Sequence, residues 1–275
     1  MHEIAQNIFN ITLFTYIAAI LFAQGLAVTM AHLIEEFKKV KLIIFTIIAN
    51  FIVVPLYAYA LVSVFDASKG VSIGIILLSL CAGAPFIPKI VDTAKSNTDG
   101  AVGLMLLLTI VSIFFMPIAV HMIYSNASIS AFEIAKSLIY TILIPLVFGM
   151  IIRAYSPLLA KKIEPWINKL ATISLIFLII SFIYLYDHII YNNLNVIPII
   201  VVFFLGSMAI GYLSAGKNRV ARISFSAATG LRNPPIAILV ASQYFSSEPI
   251  AGVIGMLIIV IGLAISFPLA KFVSK

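Results

Sequence analysis

Two short stretches of this sequence carry polar chemistry within apolar surroundings. One is Cys81-Ala82-Gly83-Ala84-Pro85-Phe86-Ile87-Pro88-Lys89, the other Thr229-Gly230-Leu231-Arg232-Asn233-Pro234-Pro235. Each sets a glycine five residues before a proline, Gly83 before Pro88 and Gly230 before Pro235. Proline removes a backbone donor and clashes with the preceding turn, and glycine tolerates the dihedrals that follow. With Pro85 and Pro234 alongside, each stretch predicts a helix unwound near its middle. N–H and C=O groups freed in this way cannot face lipid, so they must line a protein interior or a wet cavity. Each stretch also holds a cation, Lys89 or Arg232, and a charge at the bilayer centre costs roughly 2.5–3.5 kcal/mol even on lenient scales. Half-helix N-termini add positive partial charge and free N–H groups, and Pro88 and Pro235 suit the first turn of such half-helices. The expected chemistry is recognition of an organic carboxylate, sulfonate or phosphate by Lys89, Arg232, Asn233 and the helix starts at Pro88 and Pro235. Asp92, three residues beyond Lys89, can pair with it on one helix face. Asp92 and a deprotonatable Lys89 are also the candidates for proton or ion coupling, since buried lysine can titrate near neutrality and arginine cannot.

The elements that must position these residues follow from composition. The chain has 275 residues, 63% hydrophobic and 10% charged. Soluble domains carry roughly a quarter charged residues, so most of this surface must meet lipid. Requiring about 20 mostly apolar residues per span gives nine helices, near 7–30, 41–63, 70–97, 100–123, 133–153, 165–186, 195–214, 218–244 and 248–272. The runs are too long for the alternating strands of a membrane barrel. Met1-His2-Glu3 lacks the positive start of a secretory signal, and the first apolar stretch is read as a retained helix. The expected fold is an all-α polytopic membrane protein, one transmembrane domain over 1–275.

The charges set an orientation. With the N-terminus outside, the inside loops hold Lys38, Lys39, Lys41, Lys95, Arg153, Lys161, Lys162, Lys169, Lys217, Arg219, Arg222, Lys271 and Lys275, and the outside ones only Lys69 and Lys136. That asymmetry predicts a multi-pass protein of the cell membrane with its C-terminus in the cytoplasm. It also accounts for the net charge of +7 without a nucleic-acid partner. The breaks fall in the second-last helix of each half, a pattern that points to inverted repeats crossing at a midplane site. Residues 1–125 form the first repeat, lacking one helix, and 130–275 the second.

At these residues the sequence resembles the bile acid:sodium symporter family, which shares a superfamily with auxin efflux carriers and arsenite exporters. Gly25-Leu26-Ala27-Val28-Thr29 with Phe37-Lys38-Lys39 looks like the family's first panel helix and basic loop, and Asn50-Phe51-Ile52-Val53-Val54-Pro55 is similar to a pattern with Gln at its first position. Cys81 and Gly83 match the family's C-P-G-G-x-x-S-N crossover, Thr109 and Ser112 its T-x-x-S stretch, and Gly230 and Asn233 its E-x-G-M-Q-N crossover. The resemblance implies a panel and a six-helix core around two crossing discontinuous helices, transport of a small organic anion such as a carboxylate or bile acid by alternating access, and cavity-lining roles for Asn50 and Thr109. This chain departs from the family where it binds sodium. The Ser and Asn of the first crossover fall on Ile87 and Pro88, and the Glu and Gln of the second on Ala228 and Arg232. Most sodium ligands are therefore absent, and Lys89 and Arg232 are expected to take over the electrostatic role of the ions. Bound sodium is not expected, nor any other cofactor.

Other features weigh less. Gln24, Ser224 and Ser226 are polar within spans, the last two just before the second break. His121 and His188 lie near helix ends without clustered partners, so no metal site is expected. Asn10-Ile11-Thr12 and Asn126-Ala127-Ser128 match the glycosylation pattern. An efflux carrier of the auxin type and a sodium-coupled symporter are the alternatives within transport. An enzyme is not expected, since no nucleophile or metal set lies within the spans, and fixed cations beside broken helices suit occlusion better than channel passage.

Overall fold

A computed structural model describes residues 2–28, 40–124 and 130–274. Its regular elements are helices: α1 (His2–Ala27), α2 (Val40–Ile48), α3 (Val54–Val64), α4 (Lys69–Leu80), α5 (Ile87–Thr93), α6 (Thr98–Ile123), α7 (Ala131–Leu138), α8 (Ile144–Tyr155), α9 (Pro157–Asn192), α10 (Ile197–Ser214), α11 (Arg219–Gly230), α12 (Pro234–Tyr244) and α13 (Pro249–Val273). Among the described residues, seven helical runs are long and apolar enough to cross a membrane. The two other expected spans are the interrupted ones, α4 followed by α5 and α11 followed by α12. The chain is an all-α polytopic membrane protein. Thr29, the Glu35–Lys39 charges, Lys275 and the Asn126 motif lie outside the described residues; Asn10 of the other motif sits within α1.

Two details depart from the expected spans. The helix anticipated at 165–186 begins at Pro157 and runs to Asn192, with Pro165 inside it and non-helical dihedrals at Tyr186. Pro157 stands in the first turn, where its missing N–H has no partner to lose, and exposed Lys161 and Lys162 make the added turns polar. The second departure is a pair of π turns, Ala49–Val53 between α2 and α3 and Ile139–Leu143 between α7 and α8. Each sits just before a proline, Pro55 or Pro145, that opens the next helix. A proline inside a span has no N–H to give the preceding turn and crowds its carbonyl, and a widened turn relieves both.

Contacts gather the chain into two units, and neither is one half of the sequence: 1–31 with 130–194, and 32–129 with 195–275. The first holds α1, α7, α8 and α9. In it α1 lies against α8 so closely that a Cβ on Gly25 would come 2.9 Å from the Gly149 Cα. Phe22 and Phe148 stack beside this crossing with centroids 5.8 Å apart. The second unit holds α2 to α6 and α10 to α13, six spans that include both broken ones. Leu77, Leu78, Ile236 and Leu239, on the half-helices flanking the breaks, are fully buried, so the breaks lie within packed protein and not at a lipid-facing surface.

Candidate functional site

Both breaks belong to the second unit, and each opens on extended backbone. Helix α4 stops at Leu80, Cys81 turns out at φ −109°, ψ 90°, and α5 restarts at Ile87 with Pro88 in its first turn. Helix α11 stops at Gly230, Leu231 takes φ −75°, ψ 102°, and Pro234 and Pro235 open α12. The breaks are bonded to one another. The Asn233 backbone N–H donates to the Cys81 carbonyl at 2.8 Å, and its side-chain Nδ2 donates to the Gly83 carbonyl at 3.0 Å. Helix α6 backs the first break: the Ser112 hydroxyl accepts from the Ala82 N–H at 2.9 Å and lies 3.1 Å from the Ala82 carbonyl. The Thr109 hydroxyl is 2.8 Å from the Met105 carbonyl and 2.9 Å from that of Gly83. Gly83 has φ +88°, and a Cβ there would stand 2.7 Å from the Met105 oxygen. Only glycine meets both the dihedral and the space.

Arg232 is the centre of the crossover, with 2% of its surface exposed. Its Nε donates to the Leu78 carbonyl at 3.0 Å; Nη1 donates to Asn50 Oδ1 at 2.8 Å and to the Thr229 carbonyl at 3.2 Å; Nη2 donates to the Asn50 carbonyl at 3.4 Å and to the Ser79 carbonyl. A guanidinium has five N–H donors, and all five are used. The acceptors are neutral oxygens, four of them backbone carbonyls. Their origin explains why they can accept. Leu78 and Ser79 lie in the last turn of α4 and Thr229 in the last turn of α11, where carbonyls lack the regular helical partner and the helix dipole is negative; the Leu78 carbonyl also accepts from the Cys81 N–H at 3.1 Å. Asn50 lies in the π turn, where the widened ladder releases its carbonyl. Two negative helix ends and one π turn thus converge on a single cation. Asn50 is held in turn, its Nδ2 donating to the Thr46 carbonyl at 3.0 Å and to Thr229 Oγ1 at 3.1 Å.

The structure therefore brings together Arg232, Asn50, Asn233, Gly83 and Thr109, with Gly230, Pro234 and Pro235 buried beside them. It leaves Lys89 and Asp92 elsewhere. On α5 the buried residues are Ile87, Ile90 and Val91, one face of a helix, so Lys89 and Asp92 point the other way and are exposed. Asp92 Oδ1 accepts from the Thr98 hydroxyl at 3.4 Å; no Lys89–Asp92 ion pair forms among the described residues. The expectation of a buried Lys89 paired with Asp92 is thus corrected: the break ends before residue 87, and helical phase carries Lys89 outward. Pro85 and Pro88 are half-buried at the edge of the first break. Thr229 and Ser79 were not anticipated. Thr229 adjoins the Gly230 break in sequence, whereas Ser79 contributes only a carbonyl, which its side chain does not announce.

Comparison with known proteins agrees with this architecture. Over 240 residues the chain is 22% identical to the probable sodium/metabolite cotransporter BASS3, chloroplastic, of Arabidopsis thaliana, covering 84% of this chain and 56% of that protein. Over 162 residues it is 22% identical to the uncharacterized sodium-dependent transporter YocS of Bacillus subtilis, covering 58% of this chain and 50% of that one. The chain thus spans about half the length of the curated relatives it matches. The model of the sodium bile acid symporter family matches residues 14–193, more than half of the chain, and the chain belongs to that family.

Proposed function

We propose that the protein is a secondary transporter that moves a small organic anion across the membrane by alternating access without sodium, using the Arg232 guanidinium as its resident cation. The five-bonded guanidinium carries this reading. Carbonyls at half-helix C-termini are the groups with which discontinuous transporter helices hold sodium. Here they hold a side chain instead. The hydroxyl of Thr109, which the family resemblance gives a cavity-lining role, and that of Ser112 in the same T-x-x-S stretch are engaged with the backbone of the first break. The names of both relatives include sodium, and Arg232, with Ile87, Pro88 and Ala228, stands where this chain parts from the family's sodium-ligand pattern. Because every N–H of Arg232 is used, its part toward an anionic substrate is through its field and through the shape it gives the crossover. Direct contact falls to other groups, since α12 opens on Pro234 and Pro235, which have no N–H, and the Ile236 and Ala237 N–H groups donate to the Asn233 carbonyl.

The test is thermal unfolding of the purified protein, in sodium or potassium chloride at equal ionic strength, against taurocholate and a series of short mono- and dicarboxylates. Stabilisation by one acid, of equal size in both salts, is expected, followed by equal uptake of that acid by proteoliposomes in both. A melting temperature or an uptake rate that climbs with sodium alone would overturn the reading.

A further inference from the structure

A cavity of about 340 Å³ lies in the second unit; Arg232 is not among its lining residues, and a site there is independent of the transport reading. Its walls come from α5 (Ile90) and its C-cap Ala94, α10, α11 (Ile223, Ala227) and α13 (Leu269, Ala270). That volume is in the range of small-ligand sites, about 300–1,000 Å³. The lining is apolar apart from a few groups, and one of these stands out. The Ser266 hydroxyl, on a residue 1% exposed, has no hydrogen-bond partner and lines this cavity. Buried hydroxyls are normally satisfied, so the cavity offers a donor to something that brings an acceptor.

The rim is cationic. Arg219 lines the cavity, and its Nη2 donates to the Val273 carbonyl at the end of α13 at 2.8 Å. Tyr212 carries Arg222 over its ring at 4.8 Å, and Lys217 and Lys271 are exposed on the adjoining turn and helix end. Helices α10, α11 and α13 contain no Asp or Glu. The nearest carboxylate in sequence to a wall residue is Asp92 on α5, which is engaged with Thr98. The remaining rim is exposed and apolar, with Phe272 at 78% and Tyr212 at 44%. A soluble anion would meet a polar mouth; this mouth opens through hydrocarbon-like surface beside guanidinium groups.

We propose that the cavity is a binding site for one anionic phospholipid, with an acyl chain among Ile90, Ile223 and Leu269, an ester carbonyl accepting from Ser266, and the phosphate on Arg219 with Lys271. The spacing fits. Ser266 and Val273, the level of the Arg219 guanidinium, are seven residues apart on α13, about 10 Å along the helix, which the arginine's reach brings within the span from ester to phosphate. Basic residues at this end of the bundle, predicted to be cytoplasmic, would face the anionic leaflet, where such charges attract acidic lipid headgroups. Because Ile90 belongs to the half-helix after the first break and Ala94 caps its end, an occupied site also braces α5.

Full-length protein is purified in detergent and supplied with dioleoyl phosphatidylglycerol, dioleoyl phosphatidylcholine, decanoate or inorganic phosphate at equal concentration. Native mass spectrometry counts retained lipids and thermal unfolding reads their effect. One tightly retained phosphatidylglycerol is expected, with at least tenfold preference over phosphatidylcholine. That preference should collapse in Arg219→Gln/Lys271→Gln, while Ser266→Ala weakens retention with its charge preference intact. Phosphatidylcholine unfolding curves matching those of the native chain confirm that the variants fold; a variant that fails this control is replaced by Lys271→Gln alone, from which partial loss is expected. Equal retention of the two lipids, stabilisation by decanoate or phosphate alone, or an unchanged preference in the charge variants would overturn the proposal.

Discussion

Replacing Arg232 by glutamine tests the crossover most directly, because glutamine is the residue that the family pattern has there. The amide brings two N–H donors where the guanidinium brought five. The Leu78 carbonyl keeps the Cys81 N–H, so at least two of the other four oxygens, from Ser79, Asn50 and Thr229, would be left without a donor in a site where Arg232 is 2% exposed. An unsatisfied buried polar group costs about 1–3 kcal/mol, so the loss is on the order of 2–6 kcal/mol in potassium. Against a usual stability of about 5–15 kcal/mol, that is a large fraction. The orphaned carbonyls, however, form an empty oxygen cage at two negative helix ends. A sodium ion that enters it at a hundred times its dissociation constant returns about 2.7 kcal/mol. Arg232→Gln should therefore melt well below the native protein in potassium and recover part of the difference in sodium, while the native protein shows no preference between the salts. Arg232→Lys separates charge from bonding. It keeps the cation but has three donors, so it should be destabilised and blind to sodium. The measurement is thermal unfolding in detergent across a sodium titration at fixed ionic strength. A native protein as sodium-sensitive as Arg232→Gln, or an Arg232→Gln that loses no stability in potassium, would refute the assignment of the cage to a resident cation.

Two packing predictions accompany it. Gly83→Ala adds a methyl at φ +88°, 2.7 Å from the Met105 oxygen. Strain of about 1–3 kcal/mol plus the clash should lower the melting temperature and loosen the first break, read as faster hydrogen exchange at Ala82 and Asn233, whose N–H groups are bonded in the crossover; unchanged exchange would count against the geometry. Gly149→Val, at a Cβ position 2.9 Å from the Gly25 Cα, should separate α1 from α8 and reduce folded yield, whereas the same change at Gly252, which has open space around it, should leave the yield within a factor of two in size-exclusion chromatography.

Hydrophobic run length and proline–glycine spacing are properties of the backbone, and they were legible in the sequence. Each run is long enough to satisfy its own hydrogen bonds in lipid, and a proline five residues after a glycine can hardly continue a helix. The seven helical runs among the described residues that are long and apolar enough to span, and the interruptions at 81–86 and 231–233, follow from that. The direction of a long side chain is a different matter. Lys89 and Arg232 looked alike in sequence, a cation beside a proline in each break. Lys89 stands two residues into a half-helix whose buried stripe is Ile87, Ile90 and Val91, so helical phase sends it outward. Arg232 precedes its half-helix, on extended backbone at the place where the carbonyls of α4, α11 and the π turn converge.

The pairing of Arg232 with Asn50 was out of reach for a related reason. The two are 182 positions apart, and what makes Asn50 a double acceptor is the π turn before Pro55, which frees its carbonyl while its side chain faces the same way. A proline within a span signals that some distortion must occur upstream, but not which carbonyl is released or what comes to meet it. Backbone carbonyls have no residue type, and four of the five oxygens around Arg232 are carbonyls. A site built mainly from main-chain atoms at helix ends can thus exchange a bound ion for a side chain through few substitutions, and here Ile87, Pro88 and Ala228 accompany Arg232 at the family's ligand positions. On the proposed function, the rest of the sequence keeps its family resemblance while the coupling chemistry differs. This is why the residues that depart from the family pattern, Arg232 above all, carry that proposal.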